Sequence, residues 1–534
     1  MNARSYLFVL MAMVLSSAMG CEPVGKVKMT DAGGAAADPS VAANSPVPKT
    51  GIPKTEVQPD SNHDSRSTDR ALSSIDWESM VGKEISITGE LQVVDNFNLA
   101  RYGEVKVARN RLYVPTNQID PNDADPNQTS FEGGNNVSNI NKAQKVNEEA
   151  VIVLDDGLDK QNVFPPKLFP GLGKSYPTVR VGSVLNGVSG KVVKKRNKIL
   201  LIPNLPLKWK PAPRPARPDV GDADVTVASF NVLNYFSTID NGRNEARGAD
   251  SKSELNRQED KLVSALIALK ADVIGVMEIE NNLEAEQQLV AALNKKVGKD
   301  VFQGCGLPAG FGSAPGGKNA IRVGLIYRND RVSPVGEVTM ISDDAFDGAR
   351  TPLAQTFKSK TGDEPFTVIV NHFKSKGGSK QANKANKDKG DGQGGYNAAR
   401  RAQALAICNY IESQTRGTQQ PRMLVIGDLN AYAQEDPIDL MRAKGLVDLE
   451  EQASSRAADS REYSYIYYGQ CGALDHALAT AALAKDITGI ATWHINADEP
   501  RFLDYNQEYN PKSLFQTGPF RSSDHDPVII GIGK

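Results

Sequence analysis

The sequence predicts a large α/β fold preceded by a small all-β unit. Three observations predict it. From about residue 223 onward, short apolar strands alternate with stretches of helical periodicity. Between about 71 and 209, strand-like alternation appears without long helical periodicity. Between these regions, prolines at 211, 213, 215 and 218 favour an extended, semi-rigid linker, which places a boundary at 210–222.

The chain start reads as an export signal. Arg4 gives a short positive start, and Tyr6 to Leu15 form an apolar run too short to span a bilayer. Small residues follow, ending at Ala18-Met19-Gly20-Cys21. Residues 1–21 therefore read as a signal peptide. Cys21 leaves two processing routes open: ordinary cleavage, or a bacterial lipoprotein site in which lipid on Cys21 anchors the chain to a membrane. Either route places the protein outside the cytoplasm, extracellular or on the cell surface. Residues 22–70 hold no aromatic residue and are rich in small and polar types. Such a segment cannot offset its ordering entropy and reads as a flexible stalk.

In the 71–209 unit, Ile85 to Leu91 alternates apolar and polar residues, as a half-buried strand does. Val188 to Val193 and Ile199 to Ile202 give further strands. A small closed barrel of the OB type suits this pattern, either to hold nucleic acid or as a spacer. In the 223–534 unit, Val225 to Phe230, Val273 to Met277, Thr367 to Val370, Met423 to Ile426 and Val528 to Ile530 read as strands. Leu262, Ala265, Leu266 and Leu269 recur at helix spacing.

The chain has 534 residues, of which 40% are hydrophobic, enough for several sizeable cores. Lys and Arg total 62 against 64 Asp and Glu, which argues against a protein that merely coats nucleic acid. Cys305, Cys408 and Cys471 allow at most one disulfide, with the pairing open. None has metal-ligand spacing, which disfavours a zinc site.

The chemistry is concentrated where the buried strands end. Asn231 follows one, Glu278 the next, then Asn371-His372, then Asp428 and Asn430. Asp475-His476 and Asp524-His525 complete the set. Strand ends of α/β sheets are where sites collect.

In order, SFNVLNY, VMEIEN, VNHFKSKGG, GDLNAY, LDHALA and SSDHDPV resemble the endonuclease/exonuclease/phosphatase superfamily, the fold of pancreatic-type deoxyribonuclease and abasic-site endonucleases. The chain also resembles large extracellular bacterial nucleases, some with an OB-like domain in front. The resemblance implies an α/β (α+β) four-layer sandwich with two mostly antiparallel sheets flanked by helices.

A phosphodiester repels nucleophiles, and a general base contributes only about 3–5.5 kcal/mol of the roughly 8–23 kcal/mol an enzyme removes. A hard divalent cation supplies the rest as a Lewis acid, held by oxygen ligands. Mg²⁺ is the first expectation, with Mn²⁺ or Ca²⁺ as alternatives. The resemblance assigns Glu278, Asp524 and Asn231 to the metal, and Glu280 to a secondary role. His525 becomes the general base, oriented by Asp475. His372 faces the scissile phosphate. Asp428 orients the nucleophilic water or contacts the metal. Asn430 and Asn231 donate to phosphate oxygens. The spacing of Asp428 and Asn430 predicts one face of an extended segment. Tyr327, Arg350, Lys374, Lys376 and Arg400 are candidate substrate contacts, with Asn397 beside Arg400 at a helix start. The Lys374–Lys389 run reads either as a basic loop for nucleic acid or as a solvated loop. Asp526 and His476 read as structural.

These features point to a secreted or surface-anchored metal-dependent nuclease acting on DNA, RNA or both. Two alternatives stand beside it: a phosphoesterase of lipid or inositol phosphates, and a non-catalytic surface protein that binds nucleic acid. No protein partner is implied.

Overall fold

The computed structural model describes residue 72 and residues 75–122, 136–195, 197–415, 420–454 and 462–533. The expected signal peptide, Cys21 and the 22–70 stalk lie outside the described residues.

In the front region five strands close into a ring. The long strand Glu84–Asp95 pairs antiparallel with Val105–Ala108 and with Val184–Lys195. Val105–Ala108 pairs with Ile152–Leu154, which runs parallel to Lys198–Pro203. Lys198–Pro203 returns antiparallel to Val184–Lys195 and completes the circle. One strand serves two partners because its register slips between Ile87 and Glu90, where Gly89 has φ +80°. The bulge bends the strand around the core. Leu91, Val93, Val107, Leu154, Leu185, Val192 and Leu201 fill the interior. The sequence pattern missed the helix Val137–Glu149. It buries Ile140 alone, so no apolar stripe marks it.

The C-terminal region holds two six-stranded sheets. The first has the order Phe302–Gly304, Ile321–Arg328, Val273–Glu280, Val225–Tyr235, Val528–Ile532, Ile487–Thr492. The second runs Val332–Met340, Leu353–Ser359, Phe366–His372, Met423–Asp428, Asp475–Thr480, Leu446–Asp448. Each is antiparallel except for its central pair, which is parallel. The inner faces share one core: Val227, Met277, Val323 and Leu325 meet Leu353, Val368, Val370, Leu424 and Ile426. Each such side chain contributes about 1.5–3 kcal/mol on burial. Gly275 sets the spacing there. A Cβ on it would fall 2.7 Å from the Ile426 side chain and 2.8 Å from that of Val370.

Helices cover the outer faces. Lys252–Ala268 and Leu283–Val297 contribute to a core with the first sheet. Asn397–Ser413 and Asp436–Ala443 do so with the second. Ser251 and Asn282 cap the first two helices by accepting from the amides of Glu254 and Ala285.

The two regions are tied together. Gln470–Gly472 pairs antiparallel with Tyr465–Tyr467 and parallel with Leu112–Tyr113 of the front region. Arg180, 1% exposed, reaches Glu499 and Asp498 and donates to the carbonyl of His494. Arg111 adds a second bond to Asp498 at 2.9 Å. The proline-rich segment is pinned, not free. Arg214 donates to Glu499, and the Trp493 indole donates to the carbonyl of Pro215.

Cys305, Cys408 and Cys471 are free thiols, so the bridge that the sequence allowed is not formed. Among the described residues no helix is long and apolar enough to cross a membrane.

Candidate active site

Strand register explains why distant motifs meet. His372 is paired with Asp428 across the parallel central pair of the second sheet, and Asp428 with Asp475 on the next strand. Three chemically active residues thus lie side by side at one edge. Gly427 within GDLN has φ +139°, and a Cβ there would collide with the Asn371 carbonyl oxygen. Only glycine fits this close approach.

The facing sheet contributes through two bulges. Between Val276 and Ile279 the strand carries one residue more than its partner, and Glu278 sits there with φ +64°. The bulge re-aims its carboxylate, at the backbone cost of a non-glycine residue in the left-handed region. Opposite it, the neighbouring strand slips between Asn231 and Tyr235, with Leu233 at φ +53° and Asn234 at φ +49°. That slip aims both the backbone amide and the side-chain amide of Asn234 at Glu278 Oε2, at 3.1 and 2.9 Å.

The centre is compact and buried. His525 Nδ1 lies 2.7 Å from Asp475 Oδ2, and its Nε2 faces Asp428 Oδ2 at 3.9 Å. His372 Nε2 is 3.4 Å from Asp428 Oδ2 and 3.9 Å from Glu278 Oε1. Asn231 donates to Asp428 at 3.3 Å while its oxygen accepts from the Leu233 amide. Burial, and then the charge of Asp524, raise the pKa of Glu278. Burial also lifts Asp428 to about 7, with Asp475 and Glu278 adding to the rise. His372 stays neutral: burial, Arg350 and His525 all lower its pKa. Its Nδ1 is buried without a hydrogen-bond partner. Burial opposes the charge on His525, but Asp475, Asp428 and Asp524 outweigh it and hold the pKa well above the usual value.

Residues able to hold a cation are present in a particular form. Among the described residues, no group of three or more His, Cys, Asp or Glu side chains meets as a metal cage. Crowded carboxylates at Glu278 and Asp524, with Asn231 on the strand beside Glu278, instead suit a hard cation held by one or two carboxylates, water and substrate oxygens. That donor set suits a hard divalent cation.

Cationic groups flank this centre. Arg350, 6% exposed, is close enough to Asp428 and Glu278 to feel both charges, and burial lowers its pKa to about 10. Arg247 and Lys374 lie within electrostatic range of it. Phe373 O accepts from both Arg350 and Asn430.

Several expectations are corrected. Asn430 is not on an extended face. It turns back with φ +49°, so its amide donates to Phe373 O and its backbone to Asp428 Oδ1. Tyr327 pairs with Val273, at the end of the strand remote from Glu278, about 17 Å away at strand rise. It packs on Phe357 and donates to Gln303. Lys376 is tied to Glu435 and the Gln393 carbonyl. Arg400, fully buried, spends its guanidinium on the carbonyls of Lys374, Gly395 and Gln393. These two hold the loop instead of facing solvent. Lys374 donates to the Gly348 carbonyl and lies over the Tyr396 ring, so it too is engaged. Lys380, Lys384, Lys387 and Lys389 are exposed.

Glu280 accepts from Ser237 and Thr238 and ties down a loop. Asp526 accepts from the amides of Asn496 and Ala497, and His476 contacts the carbonyl of Ala431. Asn397 donates to Asp436. Sequence reasoning missed Asn234, Arg247 and Tyr465, whose ring lies 4.7 Å from that of His525. Asn234 was within reach, since it lies in SFNVLNY. The other two carried no signal.

Comparison with curated proteins finds no match. Among solved structures, the mannosyl-6-phosphatase Bt3783 of Bacteroides thetaiotaomicron is 16% identical, covering 58% of this chain and 100% of its own, with a TM-score of 0.38. Zebrafish (D. rerio) TDP2 complexed with a single-strand DNA product is 15% identical over 58% of this chain and 99% of its own, with a TM-score of 0.37. The human nocturnin catalytic domain with bound sulfate is 15% identical over 58% and 95%, with a TM-score of 0.36. The Endonuclease/Exonuclease/phosphatase family model matches residues 228–525. That span begins in the strand bearing Asn231 and ends at His525 itself, and by it the chain belongs to the endonuclease/exonuclease/phosphatase family.

Proposed function

We propose that this protein is a divalent-metal-dependent phosphodiesterase, a nuclease acting on DNA, RNA or both. The observation that carries this reading is the His525–Asp475 pair at 2.7 Å, facing a buried cluster of Asp428, His372 and Glu278. Asp475 fixes the His525 ring and keeps the proton on Nδ1, so Nε2 is the nitrogen that takes a proton from the attacking water. Asp428 stands beside that nitrogen and orients the same water. Neutral His372 donates to a phosphate oxygen, and Arg350 with Arg247 draws the anionic backbone in. Glu278 and Asp524 would hold the cation, which supplies Lewis-acid polarisation of the phosphate.

In the same reading, the two sheets with their outer helices form the four-layer sandwich, and the front ring is an OB-like module. The ring order and its single parallel pairing support the second assignment. Domain limits at 71–209, 210–222 and 223–534, export by residues 1–21 and anchoring through Cys21 belong to this proposal.

The test is to incubate the full chain and Mg²⁺ with plasmid, with RNA, and with lipid or sugar phosphates. Cleavage of a polynucleotide that stops in excess chelator is the expected result. Consumption of only a small phosphomonoester or lipid would replace the nuclease reading.

A further inference from the structure

The hairpin Tyr465–Gly472 links the catalytic histidine to the front ring and carries an unusual tip. Its two strands pair Tyr467 with Gln470, leaving a two-residue turn of Tyr468 and Gly469. Both turn residues have positive φ, +52° and +87°. This is a type I′ turn, whose first position favours Asn, Asp or Gly. A tyrosine there strains the backbone. The strain brings no burial in return: Tyr468 is 51% exposed and Tyr467 44%. Strain at an exposed residue points to a use for its side chain.

Around the tip the aromatics form a track. Tyr465 and Tyr467 lie two apart on one strand and so share a face, while Ile466 between them packs into a small core on the other. The Tyr465 ring is tilted 33° against the His525 ring, at 4.7 Å. Tyr467 and Tyr468 meet edge to face at 4.5 Å. Lys106, on strand Val105–Ala108 of the front ring, lies 5.4 Å from the Tyr468 ring and donates to the Tyr468 carbonyl. Asp95 partly balances that lysine at 2.8 Å, so the track is chiefly aromatic rather than electrostatic.

We propose that the Tyr465–Tyr467–Tyr468 track, continued by Lys106, is a stacking platform for the unpaired bases of a single-stranded polynucleotide running from the active site to the front ring. The inference rests on the nuclease reading and sharpens it to single strands. Every base has a flat face that a tyrosine ring can stack on, so such a platform binds without sequence preference. Bases inside a duplex are already stacked on each other and have no face to offer. The ring nearest His525 holds the base next to the scissile bond, and the two exposed rings receive the bases beyond it.

The test uses the full chain carrying Tyr467→Thr and Tyr468→Asn together. Threonine suits a strand, and asparagine is the residue that the turn prefers. Binding of labelled oligothymidylate is measured by fluorescence anisotropy in chelator, at low and high salt. Hydrolysis of a small chromogenic phosphodiester with Mg²⁺ is measured alongside. The double variant is expected to keep or raise the melting temperature and to retain turnover of the chromogenic ester. Its affinity for the oligonucleotide is expected to fall about tenfold or more, by the same factor at both salt concentrations, with duplex affinity unchanged. An oligonucleotide affinity within about twofold of native, or an equal loss for duplex, would overturn the platform. A native protein that hydrolyses neither the chromogenic ester nor any polynucleotide would overturn the nuclease reading instead, whatever the binding result.

Discussion

Asp475 Oδ2 stands 2.7 Å from His525 Nδ1, and the Asp475 residue is fully buried. In the proposed mechanism the carboxylate fixes which imidazole nitrogen faces the reacting atoms. Asp475→Asn keeps the shape and donates where the native residue accepts, so the ring turns or changes tautomer. We expect kcat to fall about 10²- to 10⁴-fold with little change in KM. His525→Ala should lose at least as much, and the double variant no more than the larger single loss. Initial rates on a polynucleotide with Mg²⁺ decide this.

Glu278→Gln removes one crowded carboxylate and keeps its volume. Activity should be lost, and the Mg²⁺-induced rise in melting temperature that a bound ligand produces should disappear. Thermal shift across a Mg²⁺ titration, which needs no turnover, checks it. An undiminished shift would take Glu278 out of the ligand set.

Arg180 crosses from the front region to the loop behind His525. It binds Asp498 and Glu499, while Asn496 of the same loop donates to the His525 carbonyl at 2.7 Å. Arg180→Met strands buried charge and should cost about 3–5 kcal/mol in stability. It should also lower kcat more than it raises KM. Adding Glu499→Gln should recover part of the stability, read by denaturant melts as a double-mutant cycle.

His494 gives a pH signature. Burial alone would lower its pKa, but the hydrogen bond from its Nδ1 to Asp526 at 3.0 Å and the charge of Asp498 raise it overall. A folded pKa above the unfolded value of about 6.5 means that the stabilisation is complete below about pH 6.5 and fades as pH rises through the folded value. His494→Phe keeps the stack on Tyr463, at 4.0 Å, and removes the charge. The native protein's melting-temperature advantage over this variant should therefore be largest near pH 6 and shrink toward pH 9.

Gly427→Ala tests the turn that carries GDLN. The left-handed φ and the clash with the Asn371 carbonyl predict a loss of more than about 2 kcal/mol, or failure to fold. Circular dichroism melts measure it.

The sequence made the strands legible because they are buried on both faces and read as continuous apolar runs. It also made their polar ends legible, and with them Glu278, His372, Asp428, Asp475 and His525. What it concealed were departures from regular geometry. The bulge at Glu278 and the back-turn at Asn430 depend on φ values that neither residue advertises. The placement of Tyr327 depended on strand register, which fixes where along a strand a side chain meets its partners. Lys376 and Arg400 looked like free charges because their partners, Glu435 and a set of loop carbonyls, lie far away in sequence or in the backbone. Tyr465 was invisible because its neighbour, His525, arrives from another part of the chain.

The strand Leu112–Tyr113 lends its edge to Gln470–Gly472, so a β-ladder is completed by residues more than half the chain apart. Detaching such a seam bares one edge of the Tyr465–Gly472 hairpin and the edge of Leu112–Tyr113. The front portion is thus not a bead on a tether. Heating should reveal a single calorimetric transition for both parts, and a chain trimmed back to residues 223–534 should aggregate through the bared edge.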